Sequence, residues 1–149
     1  MPSLGERVAG QSYIPRPSSY VVVRDADRHV AVVRTPKGVF LPGGGLERGE
    51  THETAAIREA RGECGLEVTV SAEIGRSDEH VHAAAEASYF MKRSRFFRAS
   101  VVGTLAESES DHQLEWLPQC EAEARLKPES HRWAVARDAE AITGRHVRD

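Results

Sequence analysis

The chain of 149 residues is the size of one ordinary domain and can bury a core without disulfide staples. Hydrophobic residues make up 40% of it and charged residues 29%, and no apolar run approaches the ~20 residues of a membrane helix. Twenty basic against twenty-three acidic side chains leave a formal charge of −3, which argues against a protein that holds long nucleic acid. Met1 to Gln11 carries Pro2, Gly5, Glu6 and Arg7 instead of an apolar signal segment, so a cytoplasmic protein without membrane association is expected. Cys64 and Cys120 lack metal or disulfide spacing and read as reduced packing residues.

Residues 1–17, with Pro15 and Pro17, read as a surface lead-in, and residues 18–149 as a single domain. Ser19–Arg24 and His29–Arg34 are β-branched runs separated by Asp25-Ala26-Asp27, and a hairpin is the simple expectation. Phe40-Leu41 leads into Pro42-Gly43-Gly44-Gly45, a strong breaker. From Thr51 to Cys64 the period changes, and Ile57, Ala60 and Cys64 have the spacing of a buried helical stripe. Thr51 suits an N-cap, Glu53 the positive end of the dipole and Gly65 the C′ position.

Strand-like stretches follow at Glu67–Ile74, Ser88–Met91, Phe96–Leu105 and Leu114–Leu117. Helical patterns close the chain at Glu121–Leu126 and Ser130–Ile142, the second with Trp133, Ala136 and Ala139 through Ile142 as its stripe. Strands around a central helix, with a terminal helix, predict one α/β domain whose mixed sheet lies between helices.

The segment Leu41–Leu66, LPGGGLERGETHETAAIREARGECGL, carries the chemistry. It opens with glycines that permit close backbone approach and ends in a helix loaded with glutamates. The Gly-Lys-Ser/Thr of a P-loop is absent, so an anion here has to be met by metal ions. Glu59 and Glu63, four apart, share a helical face, where they are either a solvated pair or a seat for a hard cation such as Mg²⁺. Bound metal neutralises phosphate charge and lowers the pKa of water, which is the chemistry of diphosphate hydrolysis.

The whole segment resembles the Nudix box, G-x5-E-x7-R-E-U-x-E-E-x-G-U with U apolar, at Gly44, Glu50, Arg58, Glu59, Glu63, Gly65 and Leu66. Arg34 with Phe40-Leu41-Pro42-Gly43-Gly44 resembles the family's entry to its loop. Asp111 to Pro118 resembles the strand after its last catalytic loop, and Glu129 to Ala134 the ending of some bacterial members. The resemblance implies an α/β/α sandwich that hydrolyses a diphosphate linkage in a small nucleotide-like substrate with Mg²⁺ or Mn²⁺. It implies Glu59 and Glu63 as metal ligands, Arg58 as the residue that orients the acids, and Glu50 as a supporting loop carboxylate. A further acid, ligand or base, is expected from the late loop: Glu109 first, then Asp111 and Glu107. Gly43, Gly44, Gly45, Arg34 and Glu50 are the expected substrate contacts, with a surface ion pair the equal alternative for Arg34. A homodimer is compatible with the resemblance, and the sequence marks no interface.

One position departs from the pattern. Gly62 stands where the family has the first glutamate of a pair, so one carboxylate ligand is missing. Water or another acid fills that position, or the site binds without hydrolysing. The marks of coenzyme A, NADH and ADP-ribose subclasses are absent, which leaves nucleoside triphosphates, modified ones included, in front.

Outside the box, Lys92, Arg93, Arg95 and Arg98 read either as a phosphate grip or as a solvated turn. His80 and His82 would share a strand face, without the further ligand a zinc site needs. Phe90, Phe96, Phe97, Trp116 and Trp133 read as core before base-stacking residues.

Overall fold

The computed structural model describes residues 1–83, 88–105 and 111–147. The elements are β1 (Ser3–Leu4), β2 (Ile14–Val23), β3 (Val30–Thr35), β4 (Gly38–Phe40), β5 (Gly43–Gly45), α1 (His52–Cys64), β6 (Leu66–Ala83), β7 (Ser88–Thr104), β8 (Gln113–Leu117), α2 (Gln119–Arg125) and α3 (Glu129–Val147). A five-stranded mixed sheet has the order β1-β6-β7-β2-β5, and a three-stranded sheet the order β4-β3-β8. Helix α1 covers one side of the mixed sheet and α3 the other, so the expected mixed α/β architecture is present, with a second small sheet added. Among the described residues no helix is long and apolar enough to cross a membrane.

The two cores follow from strand alternation. Tyr20, Val22 and Phe96 face α3 with Ala134 and Val135, while Val21, Val23 and Phe97 face Ala56, Ala60 and Cys64 of α1. Both faces are buried at the centre of the sheet, so Tyr20–Val23 of β2 and Phe96-Phe97 of β7 are apolar without alternation.

Several expectations need correction. The Ser19–Arg24 and His29–Arg34 runs do not form a hairpin: β2 pairs with β5 and β7, β3 with β4 and β8. A lone antiparallel bridge, Arg24 to Val30, joins them. Asp25 turns the corner by accepting the amides of Asp27 and His29, both at 2.9 Å. Residues 14–17 are exposed but belong to β2, paired with Phe90–Arg93.

The gap between the stretches at Ser88–Met91 and Phe96–Leu105 is not a turn. One strand, β7, runs through it, paired with β6 in a long hairpin. The basic cluster is therefore divided by alternation. Lys92 and Arg98 lie on the α3 side, where Arg98 Nε bonds Asp138 at 2.7 Å. Arg93 and Arg95 lie on the other, near Asp78 and Glu73 at 4.0 and 3.7 Å.

In α1 the buried stripe is Ala55, Ala56, Ala60 and Cys64, whereas Ile57 is 37% exposed. Small side chains let the helix lie close to the sheet, and a larger one would hold it off. Thr51 and Gly65 are where expected. The Thr51 hydroxyl accepts the Thr54 amide at 3.1 Å, and Gly65 takes φ 66° while its amide closes the last turn. In α3 the buried face is Ser130, His131, Ala134, Val135 and Asp138, not the Trp133–Ala136–Ala139 stripe. Three of those five are polar, so an apolar period does not mark the face.

Candidate active site

Glycine-loop geometry brings the two glutamates together. Gly43–Gly45, read from sequence as a breaker, forms strand β5 against Ser18–Tyr20. Gly43 has φ 152°, and a Cβ there would overlap the Ser19 carbonyl and the Tyr20 ring, so only glycine lets the strand lie this close. The Val21 amide fixes the loop from the other side by donating to the Pro42 carbonyl at 3.0 Å.

Helix α1 then lays its acidic face on that strand. Glu63 Oε1 accepts the Gly43 amide at 2.8 Å. Glu59 stands so close to Gly44 that a Cβ would lie 3.1 Å from its carboxyl carbon. Both carboxylates are thus turned to one short stretch of glycine backbone, and their side chains are 20% and 13% exposed for Glu59 and Glu63.

Arg58 organises the flank. Its Nε and Nη2 donate to Glu50 at 2.8 and 2.9 Å, its Nη1 to Glu59 at 2.8 Å, and Nη2 also to the Gly45 carbonyl at 3.1 Å. Glu50 in turn accepts the Glu47 amide at 2.7 Å, which closes the loop before the helix. The Arg58 hydrogen bonds, then the Glu47 amide, hold the Glu50 carboxyl below its usual range. The same bonds, Glu50 first, push the Arg58 guanidinium above its usual value despite partial burial.

Of the late-loop acids, Glu107 and Glu109 lie outside the described residues. Asp111 is described, and its Oδ1 is 2.9 Å from His112 Nδ1, while His112 Nε2 is 3.5 Å from Glu63 Oε2. His112 was not singled out from sequence; its only signal was its place in the stretch beginning at Asp111. These residues border a cavity of about 340 Å³ beside Glu63 whose walls include Tyr20, Val33, Phe40 and His112.

Arg34 is not brought to this cavity. Val33 and Thr35 face it, and alternation turns Arg34 away to pair with Glu115 across the small sheet. His80 and His82 lie against Tyr13 and Tyr89, with ring centroids 4.8 and 4.3 Å apart. Phe90, Phe96 and Phe97 are buried, and Trp116 and Trp133 pack against the two cores.

The donor set suits a hard divalent cation. Glu59 and Glu63 offer carboxylate oxygens, and among the described residues no group of three or more His, Cys, Asp or Glu forms a metal cage. Mg²⁺ commonly binds through one or two carboxylates, completed by water and phosphate, so the residues present fit it.

The match to a family model settles the class: the NUDIX domain model matches residues 14–137, and the chain belongs to that family. A search of curated proteins finds no significant match. Among solved structures, the chain is similar to a NUDIX hydrolase from Nitrosomonas europaea, at 19% identity and TM-score 0.69 over 85% of this chain and 90% of that one. It is similar to a MutT protein from Methanosarcina mazei Go1, at 15% identity and TM-score 0.70 over 89% and 99%. It also resembles the Escherichia coli dihydroneopterin triphosphate pyrophosphohydrolase, at 19% and 0.68 over 82% and 94%. At these identities the likeness shows the fold alone.

Proposed function

We propose that this protein hydrolyses the diphosphate linkage of a nucleoside diphosphate derivative or nucleoside triphosphate with the help of Mg²⁺ or Mn²⁺. The observation that carries this reading is the convergence of Glu59 and Glu63 on the Gly43–Gly44 backbone beside a cavity of about 340 Å³. Glu59 and Glu63 are the residues that would hold the metal, which when bound would supply neutralisation of phosphate charge and a lowered pKa for water. Arg58 fixes Glu59, and Glu50 fixes Arg58. Glu59 or a late-loop acid such as Glu109 takes the proton of the attacking water. In-line displacement at one phosphorus then releases a phosphate-bearing fragment. The glycine loop bears on the diphosphate through the carboxylates it seats, and Glu50 through Arg58, since the Gly43 amide and the Glu50 oxygens are taken by Glu63 and Arg58. Phe40, partly buried in the wall of that cavity, offers aromatic surface to the rest of the substrate, which supports a nucleotide-like compound. The relatives' names include a triphosphate pyrophosphohydrolase and a C. elegans Ap4A hydrolase, in keeping with this substrate class.

Gly62 favours a second reading, in which the site binds a nucleotide and does not turn it over. One experiment separates the two. Phosphate and pyrophosphate release is followed over a panel of nucleoside triphosphates and diphosphate derivatives with Mg²⁺ or Mn²⁺, beside Glu63→Gln. Metal-dependent turnover that the variant loses establishes the hydrolase and its substrate class. Metal-dependent binding with no turnover, gained on Gly62→Glu, identifies the sensor. No turnover and no metal-dependent binding on any compound overturns both.

A further inference from the structure

The glycine loop is tied to the last helix by one buried histidine. The Leu41 amide, two residues before Gly43, donates to His131 Nδ1 at 3.0 Å. A backbone N–H can only donate, so this bond fixes the tautomer: Nδ1 carries the lone pair and Nε2 the proton. His131 is 2% exposed, and burial, then Lys92 and Arg132, hold it well below its ordinary pKa and keep it neutral.

Its ring also grips both sides of the loop. Tyr20, which pairs with Gly43 across the strands, lies 4.2 Å from it between centroids, and Phe40, next to Leu41, at 6.1 Å. His131 is itself held at the start of α3, because Glu79 of β6 accepts the neighbouring Ser130 hydroxyl at 2.7 Å and its amide at 3.3 Å. A continuous path therefore runs from β6 through Ser130 and His131 to Leu41, and from Gly43 and Gly44 to Glu63 and Glu59. Leu41 sits between the end of β4 and the start of β5, where no ladder partner takes its amide.

We infer that His131 is a positioning residue of the candidate active site: its neutral Nδ1 holds the Leu41 amide and so sets the Gly43–Gly44 backbone against which both carboxylates are placed. The inference rests on Glu59 and Glu63 being the metal ligands. Residues that orient metal ligands from behind typically change affinity about 10–100-fold when removed.

The test compares His131→Phe, which keeps a ring and removes the acceptor, with His131→Asn, whose amide oxygen stands near the Nδ1 position. Mn²⁺ affinity of the full chain is read by electron paramagnetic resonance, and Gly43 amide protection by hydrogen exchange. The expected result is Mn²⁺ binding about 10-fold weaker and faster Gly43 exchange in His131→Phe, both largely recovered in His131→Asn. If His131→Phe does not fold, His131→Leu, which is smaller and equally without an acceptor, takes its place in the same comparison. Unchanged Mn²⁺ affinity and Gly43 protection in a folded acceptor-less variant overturn the inference. So does equal loss in both variants, which marks His131 as packing alone. If the unsubstituted protein binds Mn²⁺ no better than Glu63→Gln, the ligand assignment has failed, and Gly43 exchange, which needs no metal, decides the role of His131.

Discussion

Arg58 holds the Glu50 carboxylate in a two-point fork, Nε to Oε2 at 2.8 Å and Nη2 to Oε1 at 2.9 Å, and its remaining nitrogen reaches Glu59 at 2.8 Å. One guanidinium thereby spans a loop acid and a helix acid, a task that needs a planar, multiply donating group. Lysine keeps the charge and loses the fork. Arg58→Lys and Glu50→Gln are each expected to lower turnover about 10–100-fold, as outer partners of a metal site do. Steady-state kinetics beside thermal melts checks this, and turnover within twofold of the parent in Arg58→Lys would show that charge suffices.

Gly43 and Gly44, neighbours in β5, separate stability from chemistry. At Gly43 the backbone angle and the Ser19 carbonyl both oppose a side chain, and Gly43→Ala is expected to destabilise by at least about 2 kcal/mol. Gly44 has no such backbone demand, and its Cβ would press on Glu59 at 3.1 Å. Gly44→Ala should therefore melt close to the parent and lose metal affinity and turnover. The two are distinguished by urea unfolding and Mn²⁺ titration, and equal unfolding midpoints for both variants would contradict the argument.

How much of this was legible follows the range of each interaction. The Thr51 cap and the Gly65 C′ position are local and legible in the sequence, and the spacing of Glu50, Arg58, Glu59 and Glu63 marks them as neighbours of the glycine loop, their roles there resting on the proposed function. The separation of β2 from β3 was not legible, because which sheet a twice-buried strand joins is decided by partners far along the chain. The β5 glycines read as a breaker since their pairing depends on β2 lying alongside. Arg34 stood open between a substrate contact and a surface ion pair, and strand alternation, which depends on the pairing of the small sheet, gives it the ion pair with Glu115. His112 and His131 reach the site or its loop from other elements, and a lone histidine in sequence gives no sign of that.

Asp138 is the polar centre of the α3 face. Fully buried, it accepts Arg24 Nε at 2.9 Å and Arg98 Nε at 2.7 Å, tying the last helix to β7 and to the corner after β2. Removing one member of such a cluster leaves its partners desolvated and unpaired. Asp138→Ala is expected to cost about 3–5 kcal/mol in chemical unfolding while leaving the carboxylates of α1 in place. A loss under about 1 kcal/mol would mean that solvent reaches the arginines and compensates them.

Acid should loosen the fold in two stages. Burial depresses the His131 pKa below its ordinary 6.5, and desolvation, then Arg95, depresses that of His52. Below about 6.5 the unfolded chain binds protons at these histidines that the folded chain refuses, so unfolding gains. Stability is therefore complete above that pH and declines as the pH falls toward the folded values. A proton on His131 Nδ1 would also set donor against donor at the Leu41 amide. Glu50 acts in a lower window: its depressed pKa gives stability above about 4.5 that is lost on further acidification. Unfolding free energies measured from about pH 8 to about pH 5 should fall for the parent and fall less steeply for His131→Asn, which has no proton to gain there. Parallel slopes would mean that His131 takes up its proton without leaving the folded state.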